Sequence, residues 1–156
     1  MFTISKTIGL DAGHRIPDHH AKCKYLHGHR YTVTAFLDSL AVSESEQLVD
    51  GMVLDFGFLK RAMMKVIHDP YDHKMILYGQ DPFLRFKLGD VPKPMWNLLR
   101  ESCVLISLIP TAENLAKHWF DALRDELLLM SGVPVDVRLT KMEVQETPTS
   151  IATYAP

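Results

Sequence analysis

The chain has 156 residues, 47% of them hydrophobic and 23% charged, with a formal net charge of -2. That length suits a single domain over residues 1–156 with one sizeable core, and the composition is that of an ordinary soluble globular protein without a disorder signature. The charge balance gives no footprint for nucleic acid, and the longest apolar runs, such as Leu127–Met130, are far too short to span a bilayer.

Two cysteines, Cys23 and Cys103, do not make a disulfide framework, and the alternating first residues lack the apolar stretch of a signal peptide. A reducing cytoplasm is the expected location. The stretch Asp11–Arg30 is locally basic, with Arg15, Lys22, Lys24 and Arg30 against Asp11 and Asp18. It is either a solvated loop or an attractor for a phosphorylated small molecule.

In chain order, Phe2–Leu10 alternates and predicts a strand, with Ile4, Ile8 and Leu10 in one phase. Asp11–Leu26 reads as a long polar loop, a length that compact domains usually keep for a function. His29–Leu40 predicts a second strand, with Tyr31, Val33, Ala35 and Leu37 inward. Ser43–Asp50 is a polar connector. Leu59, Met63, Val66 and Ile67 then fall on one helical stripe, and the helix should end at Asp69-Pro70 because the residue before a proline is pushed out of the helical region. Tyr71–Leu77 reads as a connection. Gly79–Ser102 is the least legible stretch, with Pro94 placed to open a short helix through Leu99.

Val104–Ile109 looks like a buried strand ended by Pro110. Thr111 suits a helix N-cap, with Glu113 in the first turn, and the helix should run to about Met130 with Leu115, Trp119, Leu123 and Leu127 on one face. Val135–Glu146 predicts a strand whose inward phase starts as Val135, Val137, Leu139 and resumes as Met142, Val144, Glu146. That shift implies a bulge near Thr140 or Lys141. Thr149–Tyr154 supplies a last strand. Strands grouped at the ends with helices between them indicate an α+β antiparallel sheet.

His27-Gly28-His29 is the sharpest chemical signal. On a strand, positions i and i+2 share a face, so the two imidazoles converge, and Gly28 lets other backbone come close. The third neutral ligand comes most naturally from His14 on the neighbouring strand. Three histidines leave a tetrahedral zinc one open position, the pattern of catalytic sites. His19 and His20 are rival ligands by proximity, His68 sits at a helix end, and His118 is expected on an exposed helical face. Cys23, four residues before His27 and between Lys22 and Lys24, is a base or nucleophile, a fourth zinc ligand, or a surface thiol. Cys103 is expected to be a buried small hydrophobe. Asp72-His73 is a carboxylate–imidazole pair that a loop can bring together. Glu146 on an inward phase is either paired with a cationic or N–H-rich ligand or wet at a strand end.

Taken together, His14, Cys23-Lys-Tyr-Leu-His27-Gly-His29, Gly51-Met-Val-Leu-Asp55-Phe56, Asp72-His73, Pro110-Thr-Ala-Glu-Asn114 and Glu146-Thr147 resemble the family of 6-pyruvoyl- and 6-carboxytetrahydropterin synthases over Phe2–Tyr154. The three-residue interval between Cys23 and His27 is similar to that of the carboxytetrahydropterin synthases of queuosine biosynthesis. The resemblance implies a tunnelling fold, an antiparallel sheet with two helices packed on one face. It also implies a homohexamer of two trimers with active sites between subunits. The implied reaction is zinc-dependent conversion of 7,8-dihydroneopterin triphosphate to 6-carboxytetrahydropterin, acetaldehyde and triphosphate. Zinc falls to His14, His27 and His29, proton abstraction to Cys23, and a partner relay to Asp72 and His73. Glu146 would accept the N3 and 2-amino N–H groups of the pterin, with Thr111 and Glu113 near the same pocket. A pyruvoyl-forming or sepiapterin-cleaving enzyme and a non-catalytic zinc- or pterin-binding homologue are the alternatives. The chain departs from the family pattern in lacking the Asn that commonly follows Asp-His, in carrying Tyr71 where Leu is common, and in a longer stretch between Asp72 and Pro110.

Overall fold

The computed structural model describes residues 1–42, 51–85 and 93–156, so the Ser43–Asp50 connector and residues 86–92 lie outside the described residues. Strand β1, Phe2–His14, pairs antiparallel with β2, His27–Ser39, from Phe2 opposite Ser39 to His14 opposite His27. On the far side of β2 lies β5, Arg138–Thr147, which turns back into β6, Ser150–Tyr154. Two short strands, β3 (Met75–Tyr78), in a stretch that read mostly as a connection, and β4 (Cys103–Ile106), add in parallel beside the end of β1. The order across the sheet is β4-β3-β1-β2-β5-β6. The α+β class and the antiparallel core are as expected, and the sheet as a whole is mixed.

Alternation decides which face is packed. Ile8, Leu10 and Ala12 of β1, Tyr31, Val33, Ala35 and Leu37 of β2, and Met142 and Val144 of β5 are all buried on one face. Against them lie α1, Phe56–Met63, and α4, Ala112–Leu129, through Leu59, Met63, Leu115, Trp119 and Leu123. Asp55 caps α1 by accepting from the Phe58 N–H at 2.8 Å, and Thr111 caps α4 by accepting from the Asn114 N–H at 3.3 Å, as expected of it. No helix among the described residues is long and apolar enough to cross a membrane.

Three local departures have physical causes. Strand β1 continues through Asp11–His14 because Ala12 and His14 keep the inward phase while Asp11 and Gly13 face outward. The first helix does not stop at Asp69-Pro70. A π-helical turn, Met64–His68, leads into a last turn, α2 (Asp69–Tyr71), and Asp69 itself is helical with φ -60° and ψ -36°. The wider turn carries the Asp69 N–H to the Met64 carbonyl and accommodates a ring that would clash with a normal turn. Val135 is fully exposed, and β5 begins only at Arg138, after a turn in which the Val137 N–H donates to the Pro134 carbonyl at 3.1 Å. The strand expected over Val104–Ile109 is Cys103–Ile106. The bulge stands where the phase shift put it: Lys141 is opposite Phe36 and Leu139 opposite Leu37, leaving Thr140 unpaired. The helix near Pro94 is α3, Lys93–Glu101.

Candidate metal centre and its cavity

The packed face of β1 and β2 turns polar at one end without changing phase. After Ile8, Leu10 and Ala12 comes His14, and before Tyr31 come His29 and His27. His14 and His27 are direct cross-strand partners, and His29 faces the small Ala12, so three rings fill the end of one stripe. Ring centroids are 4.5 Å apart for His14–His27, 5.2 Å for His14–His29 and 5.0 Å for His27–His29. One ligand atom from each lies within 4.8 Å of the others. Neither His19 nor His20 joins this group. The Gly28 position is close-packed: a Cβ there would meet the Ala12 carbonyl at 3.0 Å. At Gly13 it would overlap the Met75 side chain, where β3 crosses.

The hydrogen bonds set the tautomers. His14 donates from Nδ1 to the Pro110 carbonyl at 2.7 Å, and His27 from Nδ1 to the Tyr25 carbonyl at 2.8 Å. A carbonyl only accepts, so each proton sits on Nδ1 and each Nε2 carries a free lone pair. Burial pushes the pKa of His14 below its ordinary value, against the opposing pull of the Pro110 carbonyl and Glu146. Burial lowers that of His29 as well, with Glu146 again opposing. Neutral imidazoles are thereby favoured. The Nε2 atoms of His14 and His29 are buried without a hydrogen-bond partner among the described residues. Such orphaned lone pairs are costly unless something accepts them, and a divalent cation fits this all-nitrogen donor set.

Around the triad stand residues from four elements. Tyr31, fully buried, lies edge-on beneath His14 and His29 at 5.9 and 5.6 Å, and burial pushes its hydroxyl pKa far above the ordinary range. It remains a neutral floor. Glu146 Oε1 is 3.4 Å from His14 Nε2 and 4.0 Å from His29 Nε2. Cys23, in a single 3-10 turn, lines one cavity together with His14, His19, Thr111, Glu113 and Glu146. The Arg15 Nε sits 3.3 Å from the buried Asp81 carboxylate, which also accepts from the Phe83 N–H at 2.8 Å. Part of the illegible Gly79–Ser102 stretch therefore secures the chain next to His14. Asp81 was not singled out from sequence, and Pro110 was noted only as a strand end and part of a motif. Only the inward phase of Tyr31 pointed to its place.

Asp72 and His73 are bonded to each other, Nδ1 to Oδ2 at 2.7 Å, as their adjacency suggested. The Asp11 N–H, bonded to Asp72 Oδ1, holds its carboxyl below the usual range, helped by His73. His73 lines a second cavity with the outward residues Asp11, Gly13, Gly28 and Arg30 and with Ala12 and His29. One chain does not bring this pair into the Cys23 cavity. His118 departs from expectation: it is half-buried and bonded through Nε2 to the Tyr71 hydroxyl at 2.7 Å. Cys103 is also half-buried, and burial pushes its thiol pKa up.

The sequence profile of 6-pyruvoyl tetrahydropterin synthase matches residues 3–156. Over 148 residues, 95% of this chain and 96% of the relative, the sequence is 32% identical to a Rickettsia conorii protein named 6-carboxy-5,6,7,8-tetrahydropterin synthase. A Haemophilus influenzae protein of the same name is 31% identical over 99% of both chains. Among solved structures, an uncharacterized protein from Wolinella succinogenes superposes with a TM-score of 0.77 at 24% identity, covering 99% of this chain and 97% of that one. The 6-pyruvoyl tetrahydropterin synthase of Caenorhabditis elegans gives 0.64 at 24%, covering 99% and 95%. A tunnelling fold, a profile match over nearly the whole chain and full-length relatives above 30% identity agree, and the chain belongs to the 6-pyruvoyl tetrahydropterin synthase family.

Proposed function

We propose that the protein is a zinc-dependent 6-carboxy-5,6,7,8-tetrahydropterin synthase acting on 7,8-dihydroneopterin triphosphate and releasing acetaldehyde and triphosphate. The observation that carries this reading is the cluster of three imidazoles whose ligand atoms lie within 4.8 Å of one another, with His14 lining the Cys23 cavity. His14, His27 and His29 would hold the zinc. When bound, it supplies Lewis acidity toward side-chain oxygens and neighbouring C–H and O–H protons.

Cys23 is the group on this chain placed to take a proton from the substrate side chain. Asp72 fixes His73 for the second transfer, and because that pair does not line the Cys23 cavity, a second copy of the chain is proposed to supply it, in keeping with a ring of subunits. Thr111 keeps its hydroxyl on the α4 N-terminus and shapes the cavity wall. The N3 and 2-amino edge of a pterin lies across the ring system from its side chain. Glu146, 3.4 Å from His14 Nε2, stands at the imidazole end and suits the side-chain hydroxyls, so we propose Glu113, which lines the same cavity, for the pterin clamp in its place. Accordingly Glu113→Ala should weaken binding of a non-reactive pterin about tenfold or more, the cost of unpaired N–H groups, while Glu146→Ala should lower turnover more than affinity. Calorimetric titration of both variants checks this, and the reverse pattern returns the clamp to Glu146.

The deciding experiment is incubation with dihydroneopterin triphosphate, with and without chelator, followed by mass spectrometry. Acetaldehyde with 6-carboxytetrahydropterin, abolished by chelator and restored by zinc, is the expected result. A 6-pyruvoyl product would make it a pyruvoyltetrahydropterin synthase, and the intact substrate would leave a binding homologue.

A further inference from the structure

The bond between the Tyr71 hydroxyl and His118 has no place in the chemistry above, yet it lies one residue before the Asp72-His73 pair. We infer that Tyr71, latched to His118 on α4, is a positioning residue that sets the orientation of Asp72 and His73. The inference rests on the catalytic reading of that pair.

The segment needs a latch because its helical support is thin. The π turn Met64–His68 replaces ordinary helical bonds, and Pro70 has no N–H to give to the turn before it. The chain must nevertheless reverse sharply between Tyr71 and β3, and His73 adopts the left-handed φ of 58°, which a residue with a side chain holds only when its surroundings impose it. On the sheet side those surroundings are clear: the Asp11 N–H donates to Asp72 Oδ1 at 2.9 Å, and the His73 N–H donates to the Asp11 carbonyl at 2.6 Å.

On the helix side, the Asp72 N–H donates to the His68 carbonyl at 2.8 Å and the Lys74 N–H to the Tyr71 carbonyl at 3.0 Å. Tyr71 is therefore a corner of the reversal, and its own side chain is what ties that corner to the core. The ring is buried edge-on to Trp119 at 5.6 Å and to His118 at 6.0 Å, and the hydroxyl reaches His118 Nε2 at 2.7 Å. Trp119 in turn lies edge-on to Tyr31, the floor of the histidine triad, at 6.2 Å. The reversal is thus referenced to the same block of rings that seats the metal ligands.

Tyr71→Phe removes only the oxygen. It should lower kcat about tenfold, a displacement of well under 1 Å at the acting groups, while KM and zinc per subunit stay within about twofold. His118→Leu should match it, and His118→Gln, which keeps an acceptor, should restore most of the rate. In an Asp72→Asn background the same Tyr71→Phe change should cost less than about twofold, because the pair it positions is already disabled. A purely structural role would instead lower the melting temperature and subtract equally in both backgrounds. Turnover is not the only readout. With histidine carbon-13 labelling, the His73 resonance and its pH titration should shift in Tyr71→Phe and recover in His118→Gln. An unchanged His73 titration overturns the inference whatever the rates do. An Asp72→Asn enzyme as active as the parent would overturn the catalytic reading of the pair and leave the His73 spectrum to decide the latch.

Discussion

Replacing His27 by Ala should empty the metal centre and stop turnover; the same result is expected for His14→Ala and His29→Ala. A bound divalent cation supplies several kcal/mol of transition-state charge stabilisation, which at 1.36 kcal/mol per tenfold is a loss on the order of a thousandfold. Elemental analysis of purified protein should fall from about one zinc per subunit to under about a tenth, with acetaldehyde release falling in parallel. The three positions are not equivalent in the fold. His14 is buried to 1% exposure and tied to the Pro110 carbonyl at the start of α4, so its loss also leaves a void at the end of the core. His27 is half-buried and its ring bonds the local Tyr25 carbonyl, which makes His27→Ala the cleaner variant. His20→Ala should keep the metal, since His20 stands outside the cluster. A His27→Ala protein that retains one zinc per subunit and full activity would remove the metal centre from the mechanism.

His27 and His29 were legible as a pair because they obey the same period-2 rule as the core. His14 was proposed as the third ligand although its segment read as a loop, and the continuation of β1, with Ile8, Leu10, Ala12 and His14 in one phase, is what brings it to the pair. The N-cap at Thr111 and the bulge at Thr140 were legible for similar reasons, since capping chemistry and a broken alternation are local signals. What stayed hidden depends on tertiary partners. Strand β3 has Ile76 and Leu77 both buried, so it shows no alternation in its four residues. Pro70 forbids an ordinary helical turn but not one widened by a π turn, and only packing of Tyr71 against α4 makes the wider turn worth forming. Asp72 and His73 were found as a pair, but adjacency in sequence says nothing about which cavity they serve. Val135 misled because its alternation with Val137 is real, although nothing covers it.

Cys23→Ala tests the thiol separately from the metal. The loop carrying it is fixed at both ends: the Ile16 N–H, just past His14, donates to the Cys23 carbonyl at 2.8 Å, and the Tyr25 carbonyl, just after it, accepts from His27 Nδ1. The thiol is thereby positioned by the ligands' own neighbours, yet it lies outside the group of metal-competent atoms, which among the described residues contains the three histidines. A group so placed, in one cavity with His14 and Glu146, suits proton transfer at a substrate held on the metal rather than ligation. Removing it should cost about 10² to 10⁴ in kcat, the usual worth of a positioned acid or base, while zinc stays near one per subunit. Pterin affinity should change little, because Glu113 and the cavity wall remain. Cys23→Ser should lie close to Cys23→Ala, since a hydroxyl is far less acidic than a thiol and gives up its proton poorly at neutral pH. Loss of zinc on Cys23→Ala would instead make the sulfur a fourth ligand, closing the site and leaving no free coordination position for the substrate's oxygens.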